Sequence, residues 1–175
     1  MFKRWHLKRL TAHNTQWPWL YLSFLIFVLD QLTKFCISAQ LAGSSFHSLS
    51  VLPCLNFILA YNRGAAFSFL GWGTGWQCWL FIIISLSVSF YFARKLCLGG
   101  LNRATACAMA FIIGGALGNS YDRLTLGYVI DFIDFFIGFW HFATFNLADI
   151  AVSLGAALWI IGTYRAEHTL VNSPD

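Results

Sequence analysis

Four apolar stretches organise the chain, at roughly residues 17–39, 75–93, 104–121 and 147–164. Crossing a bilayer as a helix takes about 20 predominantly apolar residues, so all four are predicted transmembrane helices. The first is interrupted only by Asp30 and Lys34, and the second ends at Arg94-Lys95. The third carries no charge until Asp122-Arg123, and the last has Asp149 near its start and Arg165 just past its end. The loops at 40–74 and 122–146 do not look like ordinary solvated connections. The first opens on a Gly43-Ser44-Ser45 turn signal and continues with short apolar runs at 49–52 and 55–59, broken by Pro53. Such runs predict edge strands. The second is aromatic over 128–145, as expected of a segment in the membrane interface. Together these loops are expected to form a lid or platform, with simple interfacial anchoring the alternative for Trp140. No internal repeat divides the chain, which is read as a single membrane-embedded domain over 1–175.

Composition supports the bilayer as solvent. Of the 175 residues, 58% are hydrophobic and 10% charged, where a soluble domain carries roughly 25% charged residues. The net charge of +4 does not imply nucleic-acid binding, because the basic residues sit at the ends of apolar runs and not on one tract. Lys3, Arg4, Lys8, Arg9, Arg94, Lys95, Arg103 and Arg165 lie on one side of the predicted topology, against Arg63 and Arg123 on the other. Positive charge marks the cytoplasmic side, so both termini are expected there and the two longer loops outside. The first stretch is too long, and too interrupted, for a cleavable signal peptide, and is read as an uncleaved anchor. Five cysteines show no metal spacing and five histidines no HExxH pattern, so neither a metal nor any other cofactor is expected. The cysteines are read as packing residues.

On this topology five of the seven acidic residues, Asp30, Asp122, Asp131, Asp134 and Asp149, converge near the outer membrane–water boundary. A carboxylate at lipid depth costs about 2.5 kcal/mol or more, so it is usually paired and functional. Two facing carboxylates can divide the labour of acid and base, which is the chemistry of an aspartyl protease. Asp131 and Asp149 are the candidate pair, and their titration would belong to the pair. Asn119 and Asn146 flank them as donors to the carboxylates or to substrate backbone. Arg123, four residues after Asn119, would share its helix face, holding a substrate carbonyl and offsetting negative charge. Asp30 and Lys34, also four apart, suit a structural ion pair as well as substrate contact. Asp122 and Asp134 are read as structural. A proton-coupled transporter would instead place its acids near the midplane between repeats, and a lipid-modifying transferase would also suit an outer-leaflet site.

Five motifs carry a resemblance: Asp30-Gln31-Leu32-Thr33-Lys34, Asn62-Arg63-Gly64-Ala65-Ala66-Phe67, Gly114 to Asn119 followed by Asp122-Arg123, Val129-Ile130-Asp131-Phe132, and Phe145-Asn146-Leu147-Ala148-Asp149. In this order they resemble the signature boxes of lipoprotein signal peptidase (signal peptidase II). The resemblance implies an α-helical integral membrane protein of the bacterial inner (cytoplasmic) membrane, with four transmembrane helices. A small extracytoplasmic β-rich cradle would follow the first helix, and the site would open toward the outer leaflet. It implies an aspartyl endopeptidase that cuts signal peptides from prolipoproteins just before the diacylglyceryl-modified cysteine. The family's catalytic pair maps onto Asp131 and Asp149, and its site-lining residues onto Asp30, Lys34, Asn62, Gly64, Asn119, Arg123 and Asn146. Prolipoproteins and membrane lipids are the implied partners, and globomycin the implied inhibitor.

Overall fold

The computed structural model describes residues 15–42, 48–64 and 75–171, with side chains through residue 164. The basic cluster at 3–9, the Gly43-Ser44-Ser45 turn and Ala65-Ala66-Phe67 lie outside the described residues. Four long helices dominate: α1 (Trp19–Ala42), α2 (Trp76–Leu98), α3 (Arg103–Leu126) and α4 (Leu147–Val171). Each begins within two residues of its predicted start, but all four end later than the apolar runs do. Long charged side chains at a membrane boundary do not stop a helix; a residue able to adopt a left-handed backbone does. Thus α2 takes in Arg94 and Lys95 and stops at Gly99 (φ 74°), whose N–H bonds the Lys95 carbonyl at 3.0 Å. Likewise α3 takes in Asp122 and Arg123 and stops at Gly127 (φ 80°), whose N–H bonds the Arg123 carbonyl at 3.2 Å. The boundary expected at 122 is therefore corrected to Gly127, and Asp122 and Arg123 are helical. At its other end α3 is capped by Asn102, whose side chain accepts from the Thr105 N–H at 2.8 Å.

Of these helices α1, α2 and the Leu147–Tyr164 part of α4 are long and apolar enough to cross a membrane. They present large apolar residues such as Phe24, Phe35, Ile83, Phe90 and Ile160 outward, as lipid-facing surfaces do. The less apolar α3 runs between the other three, and its buried side is made of small residues: Ala106, Ala108, Ala110, Gly114, Gly115, Ala116 and Gly118. At Gly114 a Cβ would sit 2.6 Å from the Ser23 carbonyl oxygen of α1, so only glycine allows these backbones to approach so closely. Small residues have low hydropathy, which explains why the most enclosed helix is the least apolar.

The remaining elements form one antiparallel four-stranded sheet in the order β1 (Ser48–Leu52), β2 (Leu55–Asn62), β3 (Val129–Ile137) and β4 (Trp140–His141). Both runs are strands as expected, with Pro53 and Cys54 in the turn between them, but of the two only β1 is an edge strand: β2 pairs with β1 on one side and β3 on the other. The third lies within the aromatic segment 128–145, for which no strand was expected. Its alternating Val-Ile-Asp-Phe-Ile-Asp pattern pairs with β2, Asp131 lying opposite Ala60 and Asn62 opposite Val129. β2 thus brings Asn62 to the base of β3, directly above the end of α3.

Candidate active site

Asp149 sits in the first turn of α4, and the start of that helix is a reciprocal cap. The Asn146 side chain accepts from the Asp149 N–H at 2.9 Å, and Asp149 Oδ2 accepts from the Asn146 N–H at 3.1 Å. This is the capping-box arrangement, with Asp in place of the usual Glu. It leaves Oδ1 of Asp149 to accept from Asn119 Nδ2 of α3 at 2.8 Å. Asp131, on β3, accepts from Asn146 Nδ2 at 2.7 Å through Oδ1 and from Asn62 Nδ2 at 3.0 Å through Oδ2. Asn146 also donates to Asn119 Oδ1 at 3.1 Å, so the two carboxylates are joined through amides.

Both carboxylates face one cavity of about 710 Å³, which Asn62, Asn119 and Arg123 also line. Apolar residues of α2 (Phe81, Ile84, Val88) and α4 (Ile150, Leu154) form its deeper walls. Burial, helped by the nearby Asp149 charge, raises the Asp131 carboxyl to about 6 against the hydrogen bonds from Asn62 and Asn146. Proximity of the two groups is therefore expressed electrostatically as well as through shared partners. Arg123 spans the rim: its guanidinium donates to the Gly64 carbonyl at 2.8 Å and to the Asn119 carbonyl at 3.3 Å, and lies 5.2 Å from the Phe81 ring centre. Gly64 enters through its backbone, its N–H bonding Asn62 Oδ1 at 2.9 Å.

Asp30 and Lys34 lie elsewhere. They are buried with Asp122 in a closed knot behind α3, Lys34 Nζ standing 2.8 Å from both Asp30 Oδ2 and Asp122 Oδ2. Neither lines the cavity, and of the two alternatives the ion pair is the one this geometry favours. The knot touches the carboxylate pair's framework at Asn119, whose Oδ1 accepts from Lys34 Nζ at 3.1 Å, and the Lys34 charge also acts on Asp131. Two of its contacts reach the site's framework: Asp30 Oδ1 accepts from the Ala148 N–H at 2.9 Å, and Asp122 Oδ2 from the Ile130 N–H at 3.2 Å. The first anchors the start of α4, the second the residue preceding Asp131. Gln31, which sequence reasoning quoted but gave no role, bonds Asp122 Oδ1 at 2.9 Å and the Gly118 carbonyl at 3.2 Å. Its place beside Asp30 in an apolar stretch was the available signal. Asp134 belongs to neither group. It pairs with the exposed His141 of β4 and with Asn56 of β2.

Comparison with known proteins matches this arrangement to one family, described as "Signal peptidase (SPase) II", across residues 22–165. The chain belongs to the signal peptidase II family. A lipoprotein signal peptidase of Coxiella burnetii is 50% identical over 148 residues, covering 83% of this chain and 88% of that protein. One of Paraburkholderia phymatum is 43% identical over 148 residues, covering 85% and 88%. A solved structure described as a bacterial membrane enzyme, determined by the in meso method at 2.3 Å resolution, superposes with a TM-score of 0.76 at 28% identity, covering 90% of this chain and 94% of that one. A second such enzyme, at 1.9 Å resolution, gives a TM-score of 0.63 at 29% identity, covering 82% and 90%. Membership in the signal peptidase II family makes this chain a protease, and its helices together with these relatives make it a bacterial membrane protein.

Proposed function

We propose that this chain removes signal peptides from prolipoproteins by aspartyl catalysis, cutting immediately before the diacylglyceryl-modified cysteine. The observation that carries the aspartyl assignment is the pairing of Asp131 and Asp149 on one cavity, with neutral amides as their hydrogen-bond donors among the described residues. Asp149 stands at a helix N-terminus, where negative charge is favoured, and accepts two N–H bonds; it serves as base. Asp131, raised to about 6, is the partner that keeps its proton. Water held between them gives a proton to Asp149 as its oxygen attacks the scissile carbonyl carbon. Asp131 donates its proton to the carbonyl oxygen, forming a neutral tetrahedral gem-diol. Collapse breaks the C–N bond: the proton on Asp149 passes to the leaving nitrogen, a diol hydroxyl returns one to Asp131, and both carboxyls regain their starting states. No metal or other cofactor takes part in this route.

The membrane setting follows from the same placement. α3, about 36 Å long at 1.5 Å per residue, is the fourth transmembrane helix. With both termini cytoplasmic in the inner membrane, the sheet forms an extracytoplasmic cradle and the cavity opens at the outer leaflet. Its apolar walls suit the signal-peptide helix and acyl chains, and globomycin is expected to compete for it. Asn62, Gly64, Asn119, Arg123 and Asn146 hold the pair and the rim, while Asp30 and Lys34 act from behind. The deciding experiment incubates purified protein with a diacylglyceryl-modified prolipoprotein and weighs the product. A mass loss equal to the signal peptide supports the assignment. A heavier product indicates a transferase, and an unchanged substrate rejects both.

A further inference from the structure

Between β4 and α4 runs a short strap, Phe142-Ala143-Thr144-Phe145, that forms one wall of the cavity facing Asp131 and Asp149. Its far end is bolted to β3 by three backbone bonds: Phe145 N–H to the Ile133 carbonyl, and the Ile133 and Phe132 N–H groups to the Phe145 carbonyl, at 2.8–3.2 Å. Its near end is held by the Phe142 N–H on the Phe135 carbonyl at 2.8 Å and by the pairing of His141 with Phe136. Next to that end His141 reaches back to Asp134, its Nδ1 lying 2.8 Å from Oδ1 and 3.1 Å from Oδ2. The imidazole also stacks on Phe136 at 5.1 Å. Asp134 is 5% exposed, and its other partner among the described residues is Asn56 at 3.4 Å.

We infer that Asp134 and His141 are a positioning pair that clasps the aromatic strap over the cavity and so sets how tightly substrate is held. The inference rests on the cavity being the substrate cleft. A buried carboxylate needs charge-assisted partners. Without the imidazole, Asp134 keeps one long amide contact and turns toward water, loosening the His141 end of the strap. None of the hydrogen bonds on Asp131 or Asp149 involves Asp134 or His141. The clasp therefore acts on substrate binding and leaves the chemical step alone.

The test measures kcat and KM for prolipoprotein cleavage by the wild-type protein and by His141→Ala, His141→Asn and His141→Gln. His141→Ala should raise KM about tenfold, the scale of one lost hydrogen bond to a charged group, with kcat within about twofold. The Asn amide nitrogen overlaps the position of Nδ1 and should restore KM. The Gln amide overlaps Nε2, which does not touch Asp134, and should not. An unchanged KM in His141→Ala, equal rescue by Asn and Gln, or a loss confined to kcat would overturn the clasp. Should His141→Ala fail to accumulate in membranes, the Asn and Gln variants decide alone: different KM values support the clasp, equal values reject it. Failure of the wild-type protein to cleave at all would instead reject the proposed function, leaving the two failures distinguishable.

Discussion

Two clusters of carboxylates lie side by side, built from the same residue type and sharing Asn119 between them. In the knot, Asp30 and Asp122 share the single cation of Lys34, each at 2.8 Å, and lie off the cavity. In the pair, the hydrogen-bond donors to Asp131 and Asp149 among the described residues are amides, and both carboxylates face open volume. The difference teaches that residue type alone does not decide whether a carboxylate is paired with a cation or held by amides. A cation within hydrogen-bond distance satisfies a carboxylate and silences it; amide partners orient it while leaving its proton exchangeable. The knot holds the start of α4 and the approach to Asp131 in place, and the pair uses that placement.

The comparison breaks most visibly if the pair is removed. Asp131→Asn and Asp149→Asn should each lower the rate of prolipoprotein cleavage by about 10⁴-fold or more, and the double variant should be little worse, because the two act as a unit. Each variant should still accumulate in membranes, since an amide is cheaper to bury than a carboxylate. The opposite pattern belongs to the knot. Lys34→Met strands two buried carboxylates, a loss of about 3–5 kcal/mol, and should appear as a lowered Tm in detergent and reduced yield. Adding Asp30→Asn and Asp122→Asn should recover much of that Tm. A Lys34→Met protein with wild-type Tm but no activity would place the knot in the chemistry and collapse the distinction.

Asn119 touches both clusters, so Asn119→Ala should show both signatures in diluted form. We expect kcat to fall about 10–100-fold, the worth of one or two hydrogen bonds to charged groups, with a Tm loss smaller than that of Lys34→Met. The pH dependence sharpens the picture further. With Asp131 needed in its protonated form and raised to about 6, kcat/KM should fall about tenfold per unit above that pH. Bound substrate expels water and should push the same limb higher in kcat. The stability sign is the reverse of the usual carboxylate. Because the folded value lies above the ordinary 3.8, the stability contribution is complete below 3.8 and is lost as pH rises toward about 6. A Tm that falls across that window in the wild-type protein and stays flatter in Asp131→Asn would bear this out.

Much of this architecture is legible along the chain. Long apolar stretches must become helices in a bilayer because no other open structure satisfies its own backbone there, so the four helices could be placed from hydrophobicity alone. Gly99 and Gly127 carried the true helix ends, a local signal stronger than the charges mistaken for boundaries. The Asn146-x-x-Asp149 spacing also fixed a local geometry, the reciprocal cap that aims Asp149. What the chain alone left open was partnership. Spacing offered Asp30 as a partner for Lys34, but it did not tell that Asp122 would join them, nor which of the other carboxylates would meet an amide and which a histidine. Those meetings join residues up to 118 positions apart, as in the bond from Ala148 to Asp30. They exist only because glycines on α3 let α1 and α4 close around it and because β2 pairs with β3. Local backbone chemistry determined the elements; long-range packing decided which charges were neutralised and which were left to react.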